Sequence, residues 1–178
     1  YNALAAAATC FSIGVPMSEV ASAISGFSAA FGRVERIEIN GRTVYLALVK
    51  NPVGFDQVLR TILLQPGQRQ VAIIINDNFA DGTDISWLWD VDFEALAGRV
   101  AGGTVGGTRA EDMALRLKYA GVDPSTLKIC HTPVETFDRA LENLDSGETL
   151  YVLPTYTAML ELRQVLSDRG LVVPFWEN

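Results

Sequence analysis

Carboxylates are the densest source of chemistry in this chain. Between Asn76 and Asp92 stand Asp77, Asp81, Asp84, Asp90 and Asp92, interleaved with Asn78, Ser86, Trp87 and Trp89. The stretch follows Val71-Ala-Ile-Ile-Ile, a β-branched run without a polar residue, which reads as a strand buried on both faces. A polar, aromatic loop just past the carboxyl end of such a strand lies where open α/β sheets place their sites. A solvated acidic loop pinned by two tryptophans fits the local sequence equally well. Trp87 and Trp89 read either as interface anchors or as core packing. Asp81-Gly82 marks a tight turn that Asp81 is expected to shape, and Asp90 and Asp92 are expected to cap the next helix or anchor the loop.

Other chemistries find less support. Gly102-Gly-Thr-Val-Gly-Gly107 has the spacing of a phosphate loop, but Thr108 and Arg109 stand where Lys and Ser/Thr are needed. A strand end feeding a capped helix accounts for it better. The alternative would make Arg109 an anion anchor at a helix N-terminus. Cys130 and His131, the only histidine, are neighbours on an expected strand and so point to opposite faces. They cannot pair as nucleophile and base. Cys10, in an alanine-rich helical run, reads as a small buried hydrophobe. One histidine and no Cys-x-x-Cys make a zinc site improbable. The chain is therefore expected to lend groups to a site completed by another domain or subunit.

The elements that must position these residues follow from periodicity. Asn2–Ile13 and about Met17–Phe27 read as helices, broken at Gly14 and Pro16. Val34–Ile39 and Thr43–Val49 read as strands joined by Asn40-Gly41, a two-residue hairpin signal. Phe55, Val58, Leu59, Ile62 and Leu63 fall on one helical face. Phe93–Ala97 reads as one or two helical turns, and Arg99–Val105 as a weak, glycine-diluted strand. Thr108-x-x-Glu111 and Thr132-Pro-x-Glu135 are capping boxes. The first opens a helix burying Ala110, Met113, Ala114 and Leu117, the second one burying Val134, Phe137, Leu141 and Leu144. Strands follow at Leu127–Cys130 and Thr149–Leu153, and a last helix at about Tyr156–Asp168. This alternation predicts an α/β, Rossmann-like, mostly parallel sheet with helices on both faces, preceded by a hairpin and two helices.

Composition sets outer bounds. The 178 residues, 49% apolar, suit one domain with a real core, or one plus a fragment of a neighbour. A formal net charge of −7 offers no basic stripe for nucleic acid or an anionic membrane. No apolar run reaches the length of a membrane span. The start, Tyr1-Asn-Ala-Leu, lacks a basic n-region and an initiating Met and reads as the interior of a longer protein.

Several patches carry a resemblance. Tyr1-Asn-Ala-Leu-Ala-Ala-Ala resembles the helix ending the ATP-binding central domain of Mur ligases, and Phe31-Gly-Arg-Val-Glu resembles the joint into their C-terminal domain. Lys50-Asn-Pro-Val-Gly-Phe, Asn76-Asp-Asn-x-Ala-Asp-Gly-x-Asp-x-Ser-Trp-x-Trp-Asp, Gly107-Thr-Arg-Ala and Pro154-x-Tyr-Thr resemble the MurT family. The resemblance implies a tail of the central domain at 1–32 and a C-terminal domain at 33–178. It implies a cytoplasmic ligase subunit of lipid II isoglutaminyl synthase. With ATP and Mg, held mainly by a central domain outside this chain, such a subunit amidates the D-glutamate α-carboxyl of lipid II. Ammonia comes from a GatD-type glutaminase partner.

The resemblance assigns Asn2 and Arg33 to the nucleotide side, with Lys50 and Asn51 beside them, and gives no metal ligand. It assigns Asp84 as the third member of the glutaminase's Cys–His triad, supplied in trans. The chain departs from other Mur ligases near Ala47, where they carry an acidic residue. A different Mur-type amide or peptide ligase, or a non-enzymatic binding module of the same fold, are the alternative readings.

Overall fold

The computed structural model describes residues 2–26, 34–64 and 66–172, which fall into two compact units, 1–30 and 31–178. The expected joint at Phe31-Gly-Arg33 lies outside the described residues.

In the first unit, α1 (Asn2–Ser12) and α2 (Met17–Ser25) meet at Gly14, whose φ of 87° suits a residue without a Cβ. Two short helices make too thin a layer to enclose side chains. Val20 is buried here, and no residue of α1 is. Cys10 is accordingly half-exposed, which corrects the expectation that it is a buried hydrophobe.

The second unit is a six-stranded sheet in the order β1-β2-β6-β3-β4-β5. Its strands are β1 (Glu35–Ile39), β2 (Arg42–Leu46), β3 (Arg69–Ile74), β4 (Val100–Gly106), β5 (Leu127–Ile129) and β6 (Thr149–Pro154). Only β1 and β2 run antiparallel, across Asn40 (φ 49°) and Gly41 (φ 77°), the paired positive angles that the hairpin signal requires. All other pairings are parallel. Helices are α3 (Pro52–Ile62), α4 (Ala110–Tyr119), α5 (Pro133–Glu142) and α6 (Tyr156–Asp168), with 3₁₀ turns at Ser86–Asp90 and Phe93–Leu96.

The two faces carry separate cores. Phe55 and Leu59 of α3, Phe93, Leu96 and Met113 of α4 cover one face, against Val71, Ile73 and Val105. Phe137 of α5 with Met159 and Leu162 of α6 covers the other, against Ala72, Ile74 and Val152. Phe55 meets Phe93 edge-on at 4.8 Å between ring centres. The buried strand at Val71–Ile75 is as expected, with Ile73, Ile74 and Ile75 fully enclosed.

Strand β4 is seven residues long and interior, not weak. Its glycines answer close approach: a Cβ on Gly106 would sit 1.7 Å from Thr136 Oγ1, and one on Gly103 2.6 Å from Leu127 Cδ2. The Thr132 half of the second capping box forms, its Oγ1 accepting from the Glu135 amide at 3.1 Å, while Glu135 Oε2 accepts from the His131 amide at 3.4 Å. Of the residues expected on its buried face, Phe137 and Leu144 are enclosed while Val134 and Leu141 are partly exposed. The first box does not form. Arg109 takes the cap position of α4, and the Thr108 hydroxyl donates instead to Asp77.

Candidate functional site at the carboxyl edge of the sheet

Adjacent strands β3 and β6 send their following segments to opposite faces, the arrangement that opens a crevice beyond the carboxyl ends. Asn76, just past β3, is buried and stitches the crevice together. Its amide donates to Thr155 Oγ1 at 2.9 Å, its Nδ2 to Thr157 Oγ1 at 3.0 Å, and its Oδ1 accepts from the Thr108 amide at 3.1 Å. Three loops, after β3, β4 and β6, are thereby tied to one side chain. Gly107 lets them close: at φ 89°, a Cβ there would lie 2.4 Å from the Ile75 carbonyl oxygen.

The acidic residues then divide by role. Asp77 accepts from Thr108 Oγ1 at 2.7 Å and from Arg109 Nε at 2.7 Å. These bonds, Thr108's first and Arg109's second, hold its carboxyl below the usual carboxylate range, and Asp77 in turn raises the Arg109 pKa. Arg109's charge is therefore committed to Asp77, with Asp112 at 3.5 Å, which corrects the alternative that made it an anion anchor.

Asp81 accepts from the Thr157 amide at 2.8 Å and its hydroxyl at 2.6 Å. It is a latch onto the start of α6 and not the shaper of the turn. The turn closes through the Asp81 and Gly82 amides on the Asn78 carbonyl, with Gly82 at φ 93°. Asp92 caps nothing, and its amide donates to Asp56 Oδ1 at 2.9 Å, so Asp56 is the anchor. Asp90 is exposed, and its side chain makes no hydrogen bond among the described residues.

Asp84 is exposed at the far end of the loop. Its Oδ1 accepts from the Ser86 amide at 2.8 Å, and that bond, followed by one from the Ser86 side chain, holds its carboxyl below the usual range. No cation pairs with it among the described residues. A hollow of about 310 Å³ opens beside it, lined by Ser86, Leu88, Trp89, Leu115 and Arg116. The two tryptophans differ. Trp87 packs on the core, its ring 6.4 Å from Phe55, while Trp89 is 54% exposed against Tyr119.

Of the residues assigned to the nucleotide side, Lys50 and Asn51 follow β2 at the same edge of the sheet. Asn51 Oδ1 accepts from the Gly54 amide at 2.8 Å and so caps α3, while Lys50 is exposed and unpaired among the described residues. Neither is hydrogen-bonded to Asp84. Ala47 is buried, its amide donating to the Val152 carbonyl. Asn2 opens α1 of the other unit, and Arg33 lies outside the described residues. Cys130 is buried, with burial pushing its thiol pKa up, whereas His131 is exposed beside Glu111, so the two do not form a pair. Among the described residues no group of three His, Cys, Asp or Glu side chains gathers as a metal site.

Sequence reasoning missed Thr155 and Arg116, and quoted Thr157 only as a letter of Pro154-x-Tyr-Thr, without a role. Arg116 had a visible signal: it falls at i+3 from Met113 and i−4 from Ala120, a charge on the buried face of α4.

No helix among the described residues is long and apolar enough to cross a membrane. Comparison with solved structures gives the fold. MurF from Acinetobacter baumannii superposes with a TM-score of 0.66 at 16% identity, over 94% of this chain and 36% of that one. MurC from Thermotoga maritima gives 0.65 at 13%, over 95% and 37%. Mycobacterium tuberculosis folylpolyglutamate synthase, crystallised with ADP and AMPPCP, gives 0.62 at 14%, over 85% and 35%.

Among curated proteins, the MurT subunit of lipid II isoglutaminyl synthase from Streptococcus pneumoniae is 37% identical over 97% of this chain. Its Staphylococcus aureus counterpart is 29% identical over 94%. The chain spans 38% of the length of each. Residues 48–159, which hold the buried strand, the acidic loop and the start of α6, match the family described as MurT ligase C-terminal, and the chain belongs to that family.

Proposed function

We propose that this chain is the C-terminal part of a cytoplasmic ligase subunit that amidates the D-glutamate α-carboxyl of lipid II in peptidoglycan synthesis, using ATP, Mg and ammonia from a GatD-type glutaminase. The likeness to two MurT subunits over nearly the whole chain supports the reaction class. In this reading residues 1–32 are the tail of a central domain that holds most of the nucleotide and its Mg, and residues 33–178 are the C-terminal domain. Lys50 suits a phosphate oxygen, being an exposed ammonium at the carboxyl edge with no carboxylate paired to it among the described residues. Asn51 offers its side-chain NH₂, since its oxygen is spent on the cap of α3. Asn2 and Arg33 are proposed on the same nucleotide side.

Asp84 is proposed to complete the glutaminase's Cys–His pair in trans. The observation that carries this is an exposed carboxylate, its charged form favoured by the Ser86 amide and without a cation of its own among the described residues. An ionised carboxylate beside an imidazole fixes the tautomer and stabilises the imidazolium that forms. The chain's own histidine lies beside Glu111 and makes no ion pair with Asp84.

The test is Asp84→Asn in the full-length subunit assembled with its glutaminase. Glutamine-dependent amidation should fall steeply, by up to ~10⁴-fold if the serine-protease triad is the guide and by less for a more acidic thiol. Complex formation should survive, and free ammonia should restore most of the product. Wild-type glutaminase activity in the mutant complex, or no rescue by ammonia, would reduce Asp84 to a structural loop residue.

A further inference from the structure

We infer that Arg116 is a positioning residue for Asp84, fixing from α4 the loop that presents the carboxylate. The inference rests on the in-trans role proposed for Asp84. Arg116 is 4% exposed, one of few charged side chains among the described residues so deeply placed, and it lies on the buried face of α4 with Ala110, Met113 and Leu117. A guanidinium is seldom buried without a task, because desolvation must be offset by bonds on every available edge.

Here the bonds all go to one segment. Arg116 Nε donates to the Leu88 carbonyl at 3.2 Å and Nη2 to the Val91 carbonyl at 2.8 Å and to Glu94 Oε2 at 3.0 Å. Its Cζ lies 5.4 Å from the Trp89 ring centre and 5.3 Å from that of Phe93. One side chain thus grips the segment Leu88–Glu94 through two carbonyls, a carboxylate and two rings. That segment begins two residues after Ser86, whose amide holds Asp84. Arg116 and Asp84 also line the same hollow.

The physical consequence is precision. A 3₁₀ turn has poor internal hydrogen-bond geometry and does not hold itself. The Ser86–Asp90 turn here leaves its Leu88 carbonyl to Arg116, and the Val91 carbonyl just beyond it accepts from both Arg116 and the Phe93 amide. Releasing them would let the turn relax and Ser86 drift, taking the carboxylate with it. A carboxylate that must meet an imidazole on another chain tolerates little drift, and displacements near 1 Å can cost about 10²-fold.

The test uses the full-length subunit in complex with its glutaminase, comparing Arg116→Met, Arg116→Lys, Asp84→Asn and the Arg116→Met/Asp84→Asn double variant. Each is assayed with glutamine and, separately, with saturating ammonia. Arg116→Met should lower the glutamine-dependent rate roughly ten- to a hundredfold while the ammonia-dependent rate stays within about twofold. The double variant should be no slower with glutamine than Asp84→Asn alone, because a residue that acts through Asp84 has nothing left to act on. Arg116→Lys, which keeps the charge and loses the fork, should fall between wild type and Met.

A glutamine-dependent rate within twofold of wild type in Arg116→Met would overturn the inference. So would equal losses with glutamine and ammonia, or losses that multiply in the double variant. If Arg116→Met does not fold, the same ratio read on Arg116→Lys decides, an unchanged ratio overturning it. If Asp84→Asn itself leaves the glutamine-dependent rate intact, the proposed role of Asp84 has failed, a result distinct from a failure at Arg116 alone.

Discussion

At the residue scale the site is a division of labour among similar groups. Five aspartates lie within sixteen residues, and their neighbours give them different work. Asp77 is held by Thr108 and Arg109, Asp81 by Thr157, and Asp84 only by the Ser86 turn. Thr157 is the hub: its hydroxyl donates to Asp81 and accepts from both Asn76 and Asn78. Thr157→Val keeps the shape and strands three polar groups, one of them on the buried Asn76. Such unsatisfied groups cost on the order of 1–3 kcal/mol each when fully buried, and the site is partly exposed. A loss of about 1–3 kcal/mol in total is expected, read as a lower midpoint in urea unfolding; an unchanged midpoint would count against the latch. The acidic loop as a site was legible from its position after a β-branched run. That Asp77 and Asp81 are already taken up was not legible, because Thr108, Arg109 and Thr157, which hold them, are distant in sequence.

At the element scale the connection from β4 into α4 is where sequence and structure part most instructively. Thr108-x-x-Glu111 has the letters of a capping box, yet Thr108 is drawn to Asp77 across the crevice. A tertiary partner outcompeted the local one, which a local reading has no means to weigh. The glycines of β4 look like dilution in a linear reading and are steric requirements in three dimensions. Gly107→Ala makes the point testable, since its φ is 89° and a Cβ would lie 2.4 Å from the Ile75 carbonyl oxygen and 2.6 Å from Asn76 Oδ1. Strained backbone of this kind costs about 1–3 kcal/mol before the clash is counted. The alanine variant is expected to lose more than that in denaturant unfolding, and a loss below 1 kcal/mol would mean that the crossing is looser than described. By contrast, the hairpin at Asn40-Gly41 and the cap at Thr132 form as read, because each is satisfied within a few residues.

At the scale of the whole molecule, the alternation of strands and helices was enough to derive the layered sheet, since apolar periodicity reports directly on which face is covered. The strand order was not legible, because nothing local says that β6 enters between β2 and β3. The chain's resources for chemistry are sparse: among the described residues an unpaired Lys50, an exposed Asp84, and a Cys130 and His131 that face different surroundings. The chain on its own is therefore expected to turn over neither ATP nor glutamine. Coupled phosphate-release and ammonia-release assays on the purified chain check this, and stoichiometric turnover of either substrate would contradict it.

The central place of β6 sets a schedule for assembly. Strands β2 and β3 never touch each other; both are bonded to β6, which is translated more than seventy residues after β3. Until Thr149–Pro154 emerges from the ribosome, the hairpin and the β3–β4 pair are two separate sheet fragments with bare inner edges. The nascent chain must keep those edges from pairing with a neighbour for the whole of that interval. Closing the sheet is then a long-range event that waits for β6, of the kind that makes parallel topologies slow to fold and reliant on protection while they wait.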